Sequence, residues 1–373
     1  MRLYFSGLNG LRAIAALAVV FAHTTKGLNE FGLNCYIFGK TAGGSAVTTT
    51  LASFGVSIFF TLSGFLITYL LLKEKEVAEI NIKNFYIRRI LRIWPLYYLY
   101  LIIAIITAYV FNISYEATSI LFYIFLLANV PFIIGGFFPF TAHYWSLGVE
   151  EQFYSFWPWL VKKSTNLLKT TVIVCFALIT LKVILRLIDI KTNNGDPGLF
   201  YNIIHVTRFH CMLIGAIGSI LYYKNNVTFL KLTNNFIAQF ISWLVIFLST
   251  INQFHISSII DNELISFVTV FLIISQTEKS KRLINLNTSF FDFIGKISYG
   301  IYMIHPLIIF YLSKVLVFSN DDSIYNYIIV YCAVFSITIF VAYISYSYFE
   351  KYFLDMKDKY SAVKSTVTMP SKD

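Results

Sequence analysis

The chain has 373 residues, of which 57% are hydrophobic and only 13% are charged. Soluble domains carry roughly 45–50% apolar and about 25% charged residues, and the mean hydropathy of this chain is +0.70. One soluble core cannot bury so much apolar surface, whereas a lipid bilayer covers it. The composition therefore excludes a disordered chain, a nucleic-acid-binding domain and a secreted disulfide scaffold, and it predicts a polytopic membrane protein.

Apolar runs long enough to cross a bilayer, about 20 residues each, recur along the whole chain. The first contains Arg12 and precedes no small-residue cleavage site, so we expect a retained membrane helix rather than a signal peptide. An eleventh run, residues 120–140, is broken by two prolines and two glycines. The ten unbroken runs centre on residues 8–24, 51–72, 90–111, 145–161, 170–188, 209–223, 236–251, 264–276, 293–312 and 325–349.

The distribution of Lys and Arg decides how the eleventh run is interpreted. With ten spans and a cytoplasmic N-terminus, the outer segments hold only four lysines, whereas eleven spans would place residues 162–163 and the basic cluster at 278–282 outside. We therefore predict an all-α membrane bundle of about ten transmembrane helices with both termini cytoplasmic. Residues 120–140 would form a re-entrant or interfacial segment. Residues 1–354 would be the transmembrane domain, and residues 355–373 a short polar cytoplasmic tail.

Arg12 and His23 are ionisable groups within the first predicted span. They lie eleven positions apart, so they share one helix face about 16 Å apart along the axis. Ionisable groups inside a membrane are costly and usually face a bundle interior or a wet cavity. Snorkelling of Arg12 to the inner headgroups, with His23 at the outer interface, is the alternative. The shared face favours a functional pair.

Arg88, Arg89 and Arg92 lie within about one turn at the start of the third predicted span. Such a cluster can set the topology or bind lipid phosphate. It is also what binding of a phosphorylated cytosolic cosubstrate requires, because guanidinium groups grip phosphate in a bidentate manner.

Glu150 and Glu151 lie several residues inside an apolar span and have no local cation. Adjacent residues point about 100° apart on a helix, so at most one easily faces the cavity that His23 faces. A pair of carboxylates at the outer interface, beside Trp145, is the alternative.

Three other segments carry polar or small residues within apolar runs. Small residues at 63–64 allow close approach of a helix or an acyl chain. A histidine that precedes a proline inside a span can bond to backbone carbonyls, which favours a structural role for His305. Four basic residues approach the same outer end of the predicted bundle: Lys182, Arg186, Arg208 and His210. Their charged groups could either extend to the lipid headgroups or take part in a functional site. The four cysteines lie far apart with no C-x-x-C pair, so no metal site is predicted.

Seven segments in order resemble the membrane acyltransferase-3 family, the ten-helix O-acyltransferases that modify bacterial surface glycans. They are NGLRAIAALAVVFAH, GVSIFFTLSGFLI, RRILRIWPLYY, YWSLGVEEQFYSFWPWL, TRFHCMLIGA, ISYGIYMIHP and SYFEKYFL. The resemblance implies transfer of an acyl group, usually acetyl, from cytosolic acyl-CoA to a sugar hydroxyl in a bacterial cytoplasmic membrane. The C-terminal SGNH-type esterase domain of some members is not expected here. The expected partners are acyl-CoA, a glycan or lipid-linked saccharide acceptor and membrane lipid, with no nucleic acid and no metal.

The implied chemistry assigns roles to the candidate residues. Acyl transfer to an alcohol needs a base and a group that stabilises the oxyanion. We expect His23 to be the base or a transient acyl carrier, Glu150 to orient it as the third member of a triad, and Arg12 to stabilise the oxyanion or the acyl donor. The three clustered arginines would hold the CoA phosphates. Substrate contacts are expected from Glu151, His143, Trp145, Arg208, Ser63, Tyr302 and His305.

Two alternatives stay open. A proton-coupled transporter or exporter of a glycan or small acid would also carry intramembrane charges, although the chain shows no internal repeat of the kind many transporters have. A structural subunit without activity is the third possibility. The acyltransferase interpretation also leaves open whether the donor reaches up a central cavity or the acyl group is handed across the membrane.

The predicted topology is testable by labelling. A cysteine placed in residues 285–288 should react only from the cytoplasm, and one placed in residues 320–323 only from outside. Reaction of both from one side would show that the count is off by one helix, with residues 120–140 the first suspect.

Overall fold

The computed structural model describes residues 2–3, 5–40, 44, 46–278, 282–318 and 322–365. The predicted basic cluster at 278–282 and the labelling segment at 320–323 therefore lie partly outside the described residues, as do residues 366–373 of the tail. The helices in chain order are α1 Leu8–Gly27, α2 Thr49–Val77, α3 Ile82–Val110, α4 Ser119–Ile124, α5 Asn129–Ile134, α6 Trp145–Lys163, α7 Leu167–Thr192, α8 Leu199–Thr207, α9 Phe209–Tyr223, α10 Val227–Thr233, α11 Phe236–Thr250, α12 Asp261–Thr277, α13 Ser289–Lys296, α14 Ser298–Ser313, α15 Ile324–Ser345 and α16 Lys351–Lys357.

Short elements other than α-helices complete the described chain and join its two ends. Strand β1, Arg2–Leu3, pairs in parallel with β2, Lys364–Ser365. A π-helical turn, Tyr346–Glu350, links α15 to α16. The described part of the expected polar tail thus returns to the N-terminus of the bundle and packs there.

The all-helical prediction is confirmed, but the count of ten spans is not. Each predicted run contains a helix, yet six helical stretches are long and apolar enough to cross a membrane, or eight if two bent pairs each count as one span. The bent pairs are α10 with α11 and α13 with α14. Helices α6 and α12 are not among the eight; the first carries two glutamates within its length, and the second has only 17 residues with acidic groups in its first turn.

The broken run at residues 120–140 forms α4 and α5, each of six residues. A helix of six residues rises only about 9 Å, so neither can span the hydrocarbon core of a bilayer. This agrees with the expectation that the run does not cross as one helix; its re-entrant or interfacial placement stays a prediction.

Burial separates the inner helices from the outer ones. In the most apolar stretch of α2, 78% of the residues are buried, whereas in the corresponding stretch of α7 only 17% are buried. The outward side chains of α7, α11 and α15 are large and hydrophobic, for example Phe176, Phe240 and Phe340. Exposed aliphatic and aromatic surface of this extent is what lipid tails cover.

Glycines set the closest contact of the bundle, between α2 and α9. A Cβ built on Gly64 would lie 1.9 Å from the carbonyl oxygen of Met212, and one built on Gly215 would lie 2.1 Å from that of Thr61. The two backbones therefore touch where neither helix carries a side chain. The expectation that residue 64 allows close approach of a helix is confirmed.

Replacing Gly64 with alanine should destabilise the fold by roughly 1–3 kcal/mol, because the obstacle is backbone and the two helices must separate. The melting temperature of the purified protein in detergent measures the effect. Ala177→Val is a matched control, since it adds volume on the exposed face of α7. An unchanged melting temperature for Gly64→Ala would contradict the α2–α9 contact.

Candidate active site

A central cavity lies between α1, α2, α3, α6, α14 and α16. Val56 and Leu70, fourteen residues apart on α2, both line it. The cavity therefore extends about 21 Å along this helix. We call the end of the bundle where α2 finishes and α3 begins the arginine end. The opposite end, where α1 finishes, is the histidine end.

Cations outnumber carboxylates around this cavity. Its lining includes Arg12, Arg89, Arg92 and Lys357, but Glu150 is the one carboxylate among the described lining residues. None of the three arginines forms an ion pair with an acidic side chain in the described ranges. The Nε of Arg89 is buried without a hydrogen-bond partner there, and its guanidinium lies 5.7 Å from the ring centre of Tyr154. Such a cavity is suited to an anionic ligand.

Arg12 is held by a short polar chain. Its guanidinium donates to Oδ1 of Asn9 at 3.0 Å, and Nδ2 of Asn9 donates to Oδ1 of Asp292 at 2.7 Å. Lys296 pairs with Asp292 at 2.7 Å. Because α1 places Asn9 three residues before Arg12, the amide fixes the guanidinium from one side and leaves the other side toward the cavity.

Glu150 forms hydrogen bonds with two cavity-lining hydroxyl groups, those of Ser63 and Tyr154. Tyr154 lies four residues further along α6, on the same helix face. Ser63 and Glu150 were candidates from the sequence, whereas Tyr154 was not, although its i, i+4 spacing from a buried glutamate could have indicated it.

Arg88 differs from its neighbours. Consecutive residues diverge by about 100° on a helix, and Arg88 turns away from the central cavity to a smaller adjoining one. There it pairs with Glu74 at 2.7 Å and donates to the carbonyl oxygen of Tyr360 at 2.8 Å. Of the three arginines grouped by sequence, only Arg89 and Arg92 therefore line the central cavity.

A hydrogen-bonded pair of histidines lies at the histidine end. Nδ1 of His23 is 2.7 Å from Nε2 of His305, and Nδ1 of His305 is 3.1 Å from the carbonyl oxygen of Ile301. A carbonyl only accepts, so with neutral rings Nδ1 of His305 donates to it and Nε2 accepts from His23. This assignment leaves Nε2 of His23 unprotonated. The expected bond from His305 to a backbone carbonyl is present, together with a second bond that the sequence did not indicate.

His143 lies beside this pair. Its ring centre is 5.4 Å from that of His305 and 5.4 Å from that of Tyr302. The side chain is buried, and neither ring nitrogen has a hydrogen-bond partner among the described residues. The hydroxyl of Tyr302 donates to the carbonyl oxygen of His143 at 2.9 Å and lies 2.6 Å from that of Ser146. Since Tyr302 and Ser146 line the cavity, they separate its far end from the histidines.

The expected contact between Glu150 and His23 is absent from the described structure, and the pairing prediction is wrong. Helix α6 runs antiparallel to α1, so His143 lies level with His23 while Glu150 lies level with Arg12. His143 lies in the 3-10 turn that leads into α6, seven residues before Glu150, which corresponds to about 10 Å along a helix axis. His305 occupies the position beside His23 that was assigned to Glu150.

The remaining candidates do not line the central cavity. Glu151 accepts a hydrogen bond from Trp94 at 3.3 Å. Arg208 donates to the backbone of Ser53 at 3.1 Å and lies over the ring of Trp145 at 5.2 Å. Trp145 in turn stacks on Phe132.

A second buried ionic cluster joins α7, α9 and α12. Lys182 pairs with Glu263 at 2.5 Å, and Nε2 of His210 lies 3.1 Å from the same oxygen. Lys182 and His210 were grouped from the sequence, but Glu263, which lies just before the predicted apolar run, was not. An acidic residue beside that run is the signal that was available.

Comparisons with known proteins agree with the resemblance seen in the motifs. The acyltransferase-3 family model, described as an acyltransferase domain, matches residues 5–347. A Staphylococcus aureus protein provisionally named an O-acetyltransferase is 28% identical over 371 residues, covering 93% of this chain and 57% of its own. A peptidoglycan O-acetyltransferase of Listeria monocytogenes is 34% identical over 169 residues, covering 42% of this chain and 24% of its own.

A Bacillus subtilis protein provisionally named a peptidoglycan O-acetyltransferase is 31% identical over 216 residues, covering 53% of this chain and 30% of its own. The chain thus spans little more than half the length of the staphylococcal relative. No solved structure matches the chain. Because the family model covers nearly all of the described bundle, the chain belongs to the acyltransferase-3 family.

Proposed function

We propose that this protein is an O-acyltransferase that moves an acyl group, in the first instance acetyl, from acyl-CoA to a hydroxyl of a cell-surface or exported glycan. The observation that carries the proposal is one cavity that begins among arginines without an ion pair and ends one side-chain layer from a histidine pair. The names of the bacterial relatives support acetyl transfer to an envelope glycan. The proposed location is a bacterial cytoplasmic membrane, with both termini in the cytoplasm.

The arginine end binds the donor in this proposal. Arg89 and Arg92 hold the CoA phosphates, because an arginine without a carboxylate partner has its donors available for phosphate oxygens. Arg12 lies deeper, about 16 Å from His23 along α1, which is too far to stabilise an oxyanion formed at His23. Of its two expected roles, binding of the donor is therefore retained. The length of the cavity favours a pantetheine arm that reaches toward the histidines over a hand-over between distant sites.

The histidine end performs the chemistry. The acceptor oxygen attacks the thioester carbon while Nε2 of His23 removes the hydroxyl proton. The tetrahedral intermediate then collapses, the C–S bond breaks, and the proton on His23 passes to the leaving sulfur. The products are an ester and free CoA. His305 is a positioning residue, since its Nε2 holds Nδ1–H of His23 and so fixes the reactive tautomer. The unpartnered nitrogens of His143 are available to the acceptor.

The decisive experiment separates an enzyme from a transporter. Purified protein in liposomes receives acetyl-CoA with a labelled acetyl group and an extract of surface glycan, without a proton gradient. We expect release of free CoA and transfer of label to the glycan, because thioester cleavage supplies the driving force. Gradient-dependent flux without CoA release from any donor would overturn the proposal in favour of the transporter.

Substitution of the histidine pair should affect kcat. We expect His23→Ala to remove acyl transfer, and His305→Leu to lower kcat by about a hundredfold with little change in KM, because general base catalysis contributes about 10²–10⁴-fold. His305→Gln should recover part of the loss, since its amide oxygen can accept from His23. Equal losses for His305→Leu and His305→Gln, with folding intact, would show that His305 does not act through this hydrogen bond.

Substitution of the cavity arginines should affect KM. Arg89→Gln and Arg92→Gln should each raise KM for acetyl-CoA by about tenfold with kcat nearly unchanged, since phosphate contacts bind ground state and transition state alike. Lysine at either position should recover part of the loss. Lys83→Gln, on the exposed start of α3, is the matched control. A fall in kcat alone would place these arginines in the chemistry instead.

Arg88→Gln should behave differently from both. This substitution leaves the Glu74 carboxylate buried without its cation. Breaking a buried ion pair in this way typically costs roughly 3–5 kcal/mol of stability. We therefore expect a lower melting temperature.

A further inference from the structure

The segment after α15 closes the arginine end of the cavity. Helix α16 packs against α3, Arg88 binds the carbonyl oxygen of Tyr360, and Val363 is only 8% exposed beside the smaller cavity. Strand β2 then pairs with β1. The family model ends at residue 347, so this closure comes from residues beyond the matched domain.

Lys357 is the functional group that this segment brings to the cavity. The residue is 7% exposed, and it lines both the central cavity and the smaller adjoining one. Its ion pair within the described residues is with the adjacent Asp358, at 3.9 Å. A buried ammonium group held so loosely, in a cavity that already contains several arginines, is costly unless an anion joins it.

We propose that Lys357 is a further donor-binding residue, which contacts the phosphate groups of the acyl-CoA beside Arg89 and Arg92. This inference rests on the proposed function and extends it to a residue outside the family domain. The buried Arg88–Glu74 pair has a defined part in it, because Arg88 fixes the backbone at Tyr360, three residues after the lysine. The chemistry recognised is a phosphate, which either the nucleotide portion of the donor or an anionic lipid headgroup could supply.

The test compares two acyl donors. Wild-type protein and the variants Lys357→Gln and Lys357→Arg are assayed for thiol release in phosphatidylcholine liposomes. Acetyl-CoA carries the phosphates, and acetyl-pantetheine carries none. We expect Lys357→Gln to raise KM for acetyl-CoA by about tenfold, a typical loss for one charge-assisted contact, and to leave KM for acetyl-pantetheine unchanged. Lys357→Arg should restore most of the affinity. Lys351→Gln, an exposed lysine on the same helix, is the matched control.

A second measurement needs no variant. CoA should protect Lys357 of the wild-type protein from an amine-reactive reagent, as read by peptide mass spectrometry, while leaving Lys351 reactive. This measurement tests the contact between Lys357 and CoA even if the Lys357→Gln variant fails to fold.

Three results would overturn the inference. An equal KM increase for both donors, or none, would show that the lysine does not contact phosphate of the donor. Protection by phosphatidylglycerol in the liposomes but not by CoA would assign the site to a lipid headgroup. Absence of both CoA binding and thiol release in the wild-type protein would overturn the proposed function itself, and with it this inference. The first two results leave the proposed function intact.

Discussion

The excess of buried positive charge around one cavity is the constraint from which the remaining features follow. A cation inside a bundle that spans a membrane must find a carboxylate, water or an anionic ligand, because hydrocarbon offers no solvation. Glu74, Glu263 and Asp292 neutralise Arg88, Lys182 and Lys296 in the described bundle. No described acidic side chain forms a direct ion pair with Arg12, Arg89 or Arg92. The fold thus pairs the cations outside the cavity directly and leaves the three cavity arginines without a direct ion pair, which is the basis of the proposed donor site.

The rigid length of α1 separates Arg12, which lines the cavity, from His23, which lies beyond Tyr302 and Ser146. Arg12 and His23 share one helix and cannot approach each other without breaking it, so the proposed donor, which contacts both ends, must be long and thin. The antiparallel α6 repeats this division, with His143 at one level and Glu150 at the other. The close α2–α9 contact through Gly64 and Gly215 holds the wall against which Ser63 faces Glu150. Packing by the smallest residues therefore sets the positions of the polar ones.

Hydropathy and intramembrane charge made much of this predictable. Each long apolar run contains a helix, and six residues singled out from sequence, Arg12, Ser63, Arg89, Arg92, Glu150 and Tyr302, line one cavity. The errors have two causes, because neither the depth at which two helices meet nor the face that each member of an arginine cluster occupies in the bundle was read from the sequence. Depth separates Glu150 from His23, and face separates Arg88 from Arg89. Lys357 was missed because a short polar segment at 355–373 has no periodicity that indicates packing.

The residue beside His23 is His305 and not the expected Glu150, and this has a physical consequence for the proposed chemistry. A carboxylate next to the base would have to be desolvated in the membrane interior, and an unpaired buried charge is expensive there. A neutral imidazole anchored to the carbonyl oxygen of Ile301 orients His23 without that cost. It also stabilises the imidazolium less strongly than a carboxylate would, so the protonated form of His23 returns its proton to the leaving sulfur more readily. The histidine pair therefore suits a reaction in which the same proton is taken from an alcohol and given to a thiolate, with no net charge left in the bundle.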